Sequence, residues 1–177
     1  MRITGGALRG RTIQAPKGDR TRPTTDKTRQ ALFNLLQSRL TLSGTHVLDL
    51  FCGSGALALE ALSRGATHAT LVERHGATLA LARANAEALD LSGVCTFLRA
   101  DALRWIDGAT ARFDLIVADP PYALAELPGL PDLLLPLLVP GGVVSLESAT
   151  DLDFSDHPAL LVSRVYGGTR LSLFGAA

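Results

Sequence analysis

The chain has 177 residues, 47% hydrophobic and 19% charged, with 17 Lys+Arg against 17 Asp+Glu. That apolar content excludes a disordered chain, and a domain of this size buries roughly 70% of its unfolded surface without cross-links. A net charge of zero argues at first against a nucleic-acid partner, yet residues 1–43 hold nine basic and two acidic residues, a local +7 set against −7 in the remainder. A basic segment attracts phosphate whatever lies beyond about one Debye length, roughly 8–10 Å at moderate salt.

Residues 1–24 are rich in Gly, Arg, Thr and Pro, with Ile3 and Ile13 as the only β-branched aliphatics, and read as a basic hairpin or extended arm. Residues 25–177 read as the main domain. Asp26 opens an amphipathic helix with Leu32, Leu35, Leu36 and Leu40 at helical spacing, ending before Ser43-Gly44. Apolar runs then alternate with helical stretches. Strands are predicted at His46 to Phe51, Ala69 to Glu73, Val94 to Arg99, Phe113 to Ala118 and Val143 to Glu147. The helices between them are predicted at Ala56 to Arg64, Ala77 to Leu89, Ala102 to Ile106 and Leu130 to Leu138. Continuously apolar strands separated by helices require a parallel sheet covered on both faces. Leu160 to Tyr166 and Thr169 to Phe174, joined by Gly167-Gly168, close the chain as an antiparallel hairpin. The expected fold is α/β, Rossmann-like, with a mostly parallel seven-stranded sheet.

No signal-peptide pattern opens the chain, and its most apolar window, Leu127 to Val144, is broken by four prolines, so no membrane span is expected. Cys52 and Cys95 lack CxxC or Cys/His ligand spacing, which suits a reducing, cytoplasmic setting and excludes a zinc site of that kind. The four histidines share no ligand spacing either, and no metal is expected.

Two constellations carry chemistry. In Val47-Leu48-Asp49-Leu50-Phe51-Cys52-Gly53-Ser54-Gly55, Gly53 and Gly55 allow a sharp strand-to-helix turn and close approach of a ligand. Glu73 ends the second strand, where an acid can accept ribose hydroxyls, and Asp101 follows the third. All three ends open on one crevice. Gly53-x-Gly55-x-x-Ala58 formally fits a dinucleotide turn, but Asp49 inside the strand suits a ligand with a cationic amino group, such as S-adenosylmethionine. The second constellation, Asp119-Pro120-Pro121-Tyr122 after the fourth strand, offers a carboxylate, a carbonyl, a stiff backbone and an aromatic face. These suit a planar base with an exocyclic amine, which must be brought out of its helix or loop to react. Cys52 could be proposed as a nucleophile for carbon methylation, but it sits in the cofactor turn and reads as packing. Trp105 and Phe113 read as core.

LDLFCGSGALALEALSRGA, the Glu73 strand end, VADPPY and YGGTRLSLF, with RITGGALRGR and RPTTDKTRQALFNLL, resemble the bacterial RsmD-type 16S ribosomal RNA guanine-N2 methyltransferases. The resemblance covers nearly the whole chain. It implies a class I methyltransferase fold, S-adenosylmethionine as methyl donor, and methylation of one guanine amine in 16S rRNA, within an assembling 30S particle; a monomer is expected, with the oligomeric state not specified by the sequence. It further implies that Asp49, Gly53 and Gly55 line the methionine end of the cofactor, Glu73 holds the ribose, and Asp101 with Ala102 the adenine. Asp119, Pro120 and Tyr122 would hold the guanine. Arg9, Arg11, Arg20 and Arg22 would lie along RNA, while Thr24 and Arg29 close over the cofactor. Cys52 departs from the small residue expected there.

Overall fold

The structure, a computed structural model, describes residues 1–16 and 25–175. Strands β1 (His46–Leu50), β2 (His68–Glu73), β3 (Cys95–Arg99), β4 (Phe113–Ala118), β5 (Leu138–Ser148), β6 (Leu160–Tyr166) and β7 (Thr169–Gly175) form one sheet. Their spatial order is β3-β2-β1-β4-β5-β7-β6. β1 to β5 pair in parallel, whereas β7 runs antiparallel to both β5 and β6. The expected mostly parallel sheet with a terminal hairpin is therefore present, and β7 folds back to lie between β5 and β6. Strand order reverses between β1 and β4, and in open α/β sheets that switch point is where a crevice opens beyond the carboxyl ends of the strands.

Helices α1 (Asp26–Gln37), α2 (Ala56–Ser63), α3 (Gly76–Ala88), α4 (Ala102–Asp107) and α5 (Leu130–Leu134) cover the two faces. Successive strand residues point to opposite faces, so an apolar run feeds two cores at once. Val47, Leu71, Leu115 and Val117 pack with Leu32, Phe33 and Leu36 of α1 and with Leu57 and Leu59 of α2. Leu48, Leu50, Ile116 and Val144 pack on the other side with Ile106 of α4 and Leu130 and Leu134 of α5. Each such fully buried side chain contributes about 1.5–3 kcal/mol.

The basic N-terminal segment is docked along its described length. It folds into a hairpin through an Arg2–Thr12 bridge and inserts Ile3 and Ile13, 1% and 2% exposed, into the core shared with α1 and α2. Gly6 takes φ +78° where the turn meets the end of α2; a Cβ there would stand 1.9 Å from the Ser63 carbonyl oxygen. Ser63 completes the contact by donating to Gly5 O at 2.7 Å and accepting from Leu8 N at 3.0 Å.

Two elements differ from the sequence reading. The helix expected over 130–138 is the single turn of α5 flanked by 3-10 turns, Leu127–Gly129 and Leu135–Leu137. Pro131 sits in the first turn of α5 without penalty, but Pro136 lacks the N–H that would continue the helix. β5 starts at Leu138, before Gly141-Gly142, and its register with β4 shifts between Phe113 and Leu115. Expected to start only at Val143, the strand instead absorbs Gly141-Gly142 as an irregularity inside it.

Candidate active site

β1 ends in a sharp turn whose backbone is strained at Phe51, a non-glycine residue with φ +60°. Gly55 follows at φ +78°, opening α2; a Cβ there would meet Leu71 at 3.0 Å and Ala82 at 3.3 Å, so packing as well as backbone conformation selects glycine. Gly53, at φ +55°, differs: among the described residues a Cβ there would have only the Phe51 carbonyl within 4 Å, so none of them blocks a ligand on this side of the turn. No side chain caps α2 from Gly55. Asp49, two residues along β1 from Val47 and hence on the α2 side, accepts from Ala58 N at 3.0 Å instead. Asp49 is 1% exposed. Burial pushes its carboxyl up to about 8, and the charges of Asp119 and Glu73 add to the shift against the Ala58 hydrogen bond.

Glu73 bridges two loops, accepting from Gly53 N at 3.3 Å and His75 N at 2.8 Å. Its carboxylate thus fixes the glycine turn at the strand ends. Asp101 caps α4 by accepting from Arg104 N at 3.2 Å, and Ala102 behind it is buried. Asp119 follows β4 half-buried, Pro120 is buried, and Tyr122 is 45% exposed. The structure therefore brings Asp49, Gly53, Gly55, Glu73, Asp101, Ala102, Asp119, Pro120 and Tyr122 to the carboxyl ends of adjacent strands. At this end the charges of Glu73 and Asp119 both disfavour a further negative charge on the buried Asp49. A cationic ligand relieves that repulsion, and the open side of Gly53 leaves room for one; the residues fit a sulfonium cofactor bearing an α-amino group.

Arg29 requires a correction. Expected to close over the cofactor, its side chain is fully buried in a joint between the hairpin, α1 and α2. Its guanidinium binds Glu60 Oε2 at 3.2 Å, Asp26 Oδ1 at 2.9 Å and the Arg2 carbonyl. Charge at this depth needs a carboxylate partner, and Glu60 supplies it. Thr24, Arg20 and Arg22 lie outside the described residues. Arg9 and Arg11 are exposed, and Arg11 donates to Ala88 O at 2.7 Å. Cys52 is buried, and burial raises its thiol far above the ordinary range, which suits packing and not nucleophilic attack.

The sequence reading missed three side chains. Asn85, 1% exposed on α3, donates to Ser54 O in the glycine turn at 2.9 Å and exchanges hydrogen bonds with Gln14 of the N-terminal segment. Thr169 and Glu147 bind the Tyr122 hydroxyl. Asn85 belongs to no short motif, Thr169 lies in YGGTRLSLF without a role read for it, and only the position of Glu147 at the end of a predicted strand pointed to the crevice.

The strand order, the glycine turn after β1, the acidic strand ends and Asp-Pro-Pro-Tyr after β4 define an α/β protein of the methyltransferase class. Solved structures share the fold: a hypothetical protein of Thermus thermophilus superposes with a TM-score of 0.84 at 32% identity, over 99% of both chains. The protein yhhF of Escherichia coli, provisionally designated a methyltransferase, also gives 0.84, at 31% identity over 100% of this chain and 99% of that one. The chain belongs to the family described as "Conserved hypothetical protein 95", matched over residues 1–175. Its relatives include YlbH of Bacillus subtilis (strain 168), provisionally named an rRNA methyltransferase, 33% identical over 98% of each chain. "Ribosomal RNA small subunit methyltransferase D" of Escherichia coli (strain K12) is 37% identical over 122 residues, 69% of this chain and 60% of that protein. Among the described residues no helix is long and apolar enough to cross a membrane, and no group of three or more His, Cys, Asp or Glu could hold a metal.

Proposed function

We propose that this protein transfers a methyl group from S-adenosylmethionine to the exocyclic N2 amine of a guanine in 16S rRNA. The observation that carries the reading is Asp119-Pro120-Pro121-Tyr122 at the end of β4, beside the glycine turn of β1 in the sheet. Membership of a family whose relatives include a ribosomal RNA small subunit methyltransferase supports the choice of RNA. When bound, S-adenosylmethionine supplies an electrophilic methyl on a sulfonium. Asp49, Gly53 and Gly55 hold its methionine end, Glu73 its ribose, and Asp101 with Ala102 its adenine.

An exocyclic amine is a poor nucleophile because its lone pair is delocalised into the ring. The Asp119 carboxylate and the Pro120 carbonyl accept its two N–H bonds, which favours pyramidal nitrogen and localises that pair. Tyr122, with an exposed ring, stacks on the extruded base; such stacking contributes about 1–3 kcal/mol. A methylated amine that is still cationic is acidic, so no strong base is needed. Arg9 and Arg11 of the docked hairpin, with Arg20 and Arg22, contact RNA phosphates. The partner is an assembling 30S particle, the working form a monomer, and the setting cytoplasmic.

Asp119→Ala tests this directly. Methyl transfer to undermethylated 30S particles should fall at least about a hundredfold while S-adenosylmethionine still binds. Retained transfer in that variant would oppose the reading, as would methylation of adenine or cytosine in place of guanine.

A further inference from the structure

The exposed ring of Tyr122 ends in a hydroxyl tied into the sheet. That oxygen lies 2.6 Å from Thr169 Oγ1 and 3.4 Å from Glu147 Oε1; Thr169 Oγ1 is itself 2.9 Å from Glu147 Oε1 and 3.1 Å from Ser148 O. Each hydroxyl carries one proton, so a relay satisfies the set: Tyr122 donates to Thr169, and Thr169 donates to the Glu147 carboxylate. Thr169 and Glu147 are each 7% exposed against 45% for Tyr122. The anchor is thus inside the protein and the anchored ring outside.

Both anchors stand on rigid elements. Glu147, one residue before the end of β5, is in register with Leu171, and Thr169 opens β7 opposite Tyr166 across the Gly167-Gly168 turn. Tyr122, by contrast, lies in the loop after β4. Burial and the neighbouring carboxylates keep the phenol protonated, so it remains a donor.

We propose that Thr169, held by Glu147, is a positioning residue that fixes the Tyr122 ring at the angle from which it stacks on the target base. This rests on the reading of Tyr122 as the base-stacking residue. It also gives the terminal hairpin a function: the turn after β6 delivers a hydroxyl to the active-site loop. A ring held in advance loses less freedom when the base arrives, so the effect belongs to RNA turnover and not to cofactor binding.

The experiment compares Thr169→Val, Thr169→Ser, Tyr122→Phe, the Thr169→Val/Tyr122→Phe double variant and Tyr122→Ala in methyl transfer to undermethylated 30S particles, with S-adenosylmethionine binding measured in parallel. Thr169→Val and Tyr122→Phe should each lower kcat/KM for the particle by about tenfold, the size of one lost hydrogen bond, with cofactor affinity unchanged. Thr169→Ser should restore the rate, and the double variant should be no worse than the poorer single one. Wild-type rates in Thr169→Val and Tyr122→Phe overturn the proposal, as do losses that multiply in the double variant. Should Thr169→Val fail to fold, Tyr122→Phe reads the same bond from the exposed side. Tyr122→Ala separates the two claims. If it is inactive while Tyr122→Phe is fully active, only the positioning role fails; if it is fully active, the stacking role of Tyr122 fails with it.

Discussion

Removing the Glu60 carboxylate should unhinge the N-terminal hairpin from the catalytic sheet. Glu60 is fully buried on α2 and accepts from Thr4 N at 2.8 Å, Thr4 Oγ1 at 2.7 Å, Arg29 Nε at 3.2 Å and Arg64 Nε at 2.8 Å. It joins the hairpin, α1 and α2 at one point. In Glu60→Ala, the guanidinium of Arg29, 0% exposed, keeps only the partly exposed Asp26 as an ion-pair partner among the described residues. Breaking a buried pair in this way costs about 3–5 kcal/mol, against a total stability of about 5–15 kcal/mol. At about 2–4 °C per kcal/mol for a chain of this length, Tm should fall by roughly 6–20 °C. Urea unfolding followed by circular dichroism should show the midpoint shift with little change in slope. Arg29→Met/Glu60→Leu removes the Arg29–Glu60 pair together and should recover only part of the loss, since Thr4 and the Arg64 guanidinium still lose their acceptor. A Glu60→Ala cost below about 1 kcal/mol would refute the reasoning, because that is the value of an exposed pair.

Asp49 predicts a pH dependence. Its folded-state pKa, raised from 3.8 to about 8, lies above the unfolded value, so the folded protein binds a proton that the unfolded chain releases between those limits. Stability of the ligand-free protein should therefore fall as pH rises from about 4 to about 8 and gain no further slope from this group above it. A cationic cofactor favours the carboxylate. Calorimetry should show S-adenosylmethionine affinity rising toward pH 8, by up to about tenfold per unit, and Asp49→Asn should abolish the trend; identical profiles for the two proteins would contradict it. Arg9→Ala/Arg11→Ala removes two exposed cations of the hairpin. RNA binding should weaken and its salt slope drop by roughly 1.4–1.8 for two lost phosphate contacts, with cofactor affinity unchanged, whereas an unaltered slope would remove these residues from the interface.

Much of the fold was legible because its signals are local. β4 occupies Phe113–Ala118 as the continuous apolar run predicted, and the other parallel strands begin or end within a residue or two of expectation, except β5. Gly141-Gly142 hid the start of that strand because a bulge and a boundary use the same residue. The site divides in the same way. Asp49, Gly53, Glu73 and Asp119 sit at fixed offsets from strand ends, which periodicity locates. Arg29 was misplaced because an arginine on an amphipathic helix carries no mark of burial; its partner Glu60 is 31 residues away on α2. Thr169 and Tyr122 are 47 residues apart and meet only because β7 inserts beside β5, a pairing no local pattern specifies.

Methylation of an RNA guanine at N2 by the crevice at the ends of β1 and β4 is tested most directly by product analysis. The purified protein is incubated with labelled S-adenosylmethionine and either undermethylated 30S particles, naked 16S rRNA or duplex DNA, and the nucleosides are resolved by mass spectrometry. Label is expected in a single N2-methylguanine from 30S particles, absent with Asp119→Ala. Label in N6-methyladenine or N4-methylcytosine, or preference for duplex DNA, would contradict it.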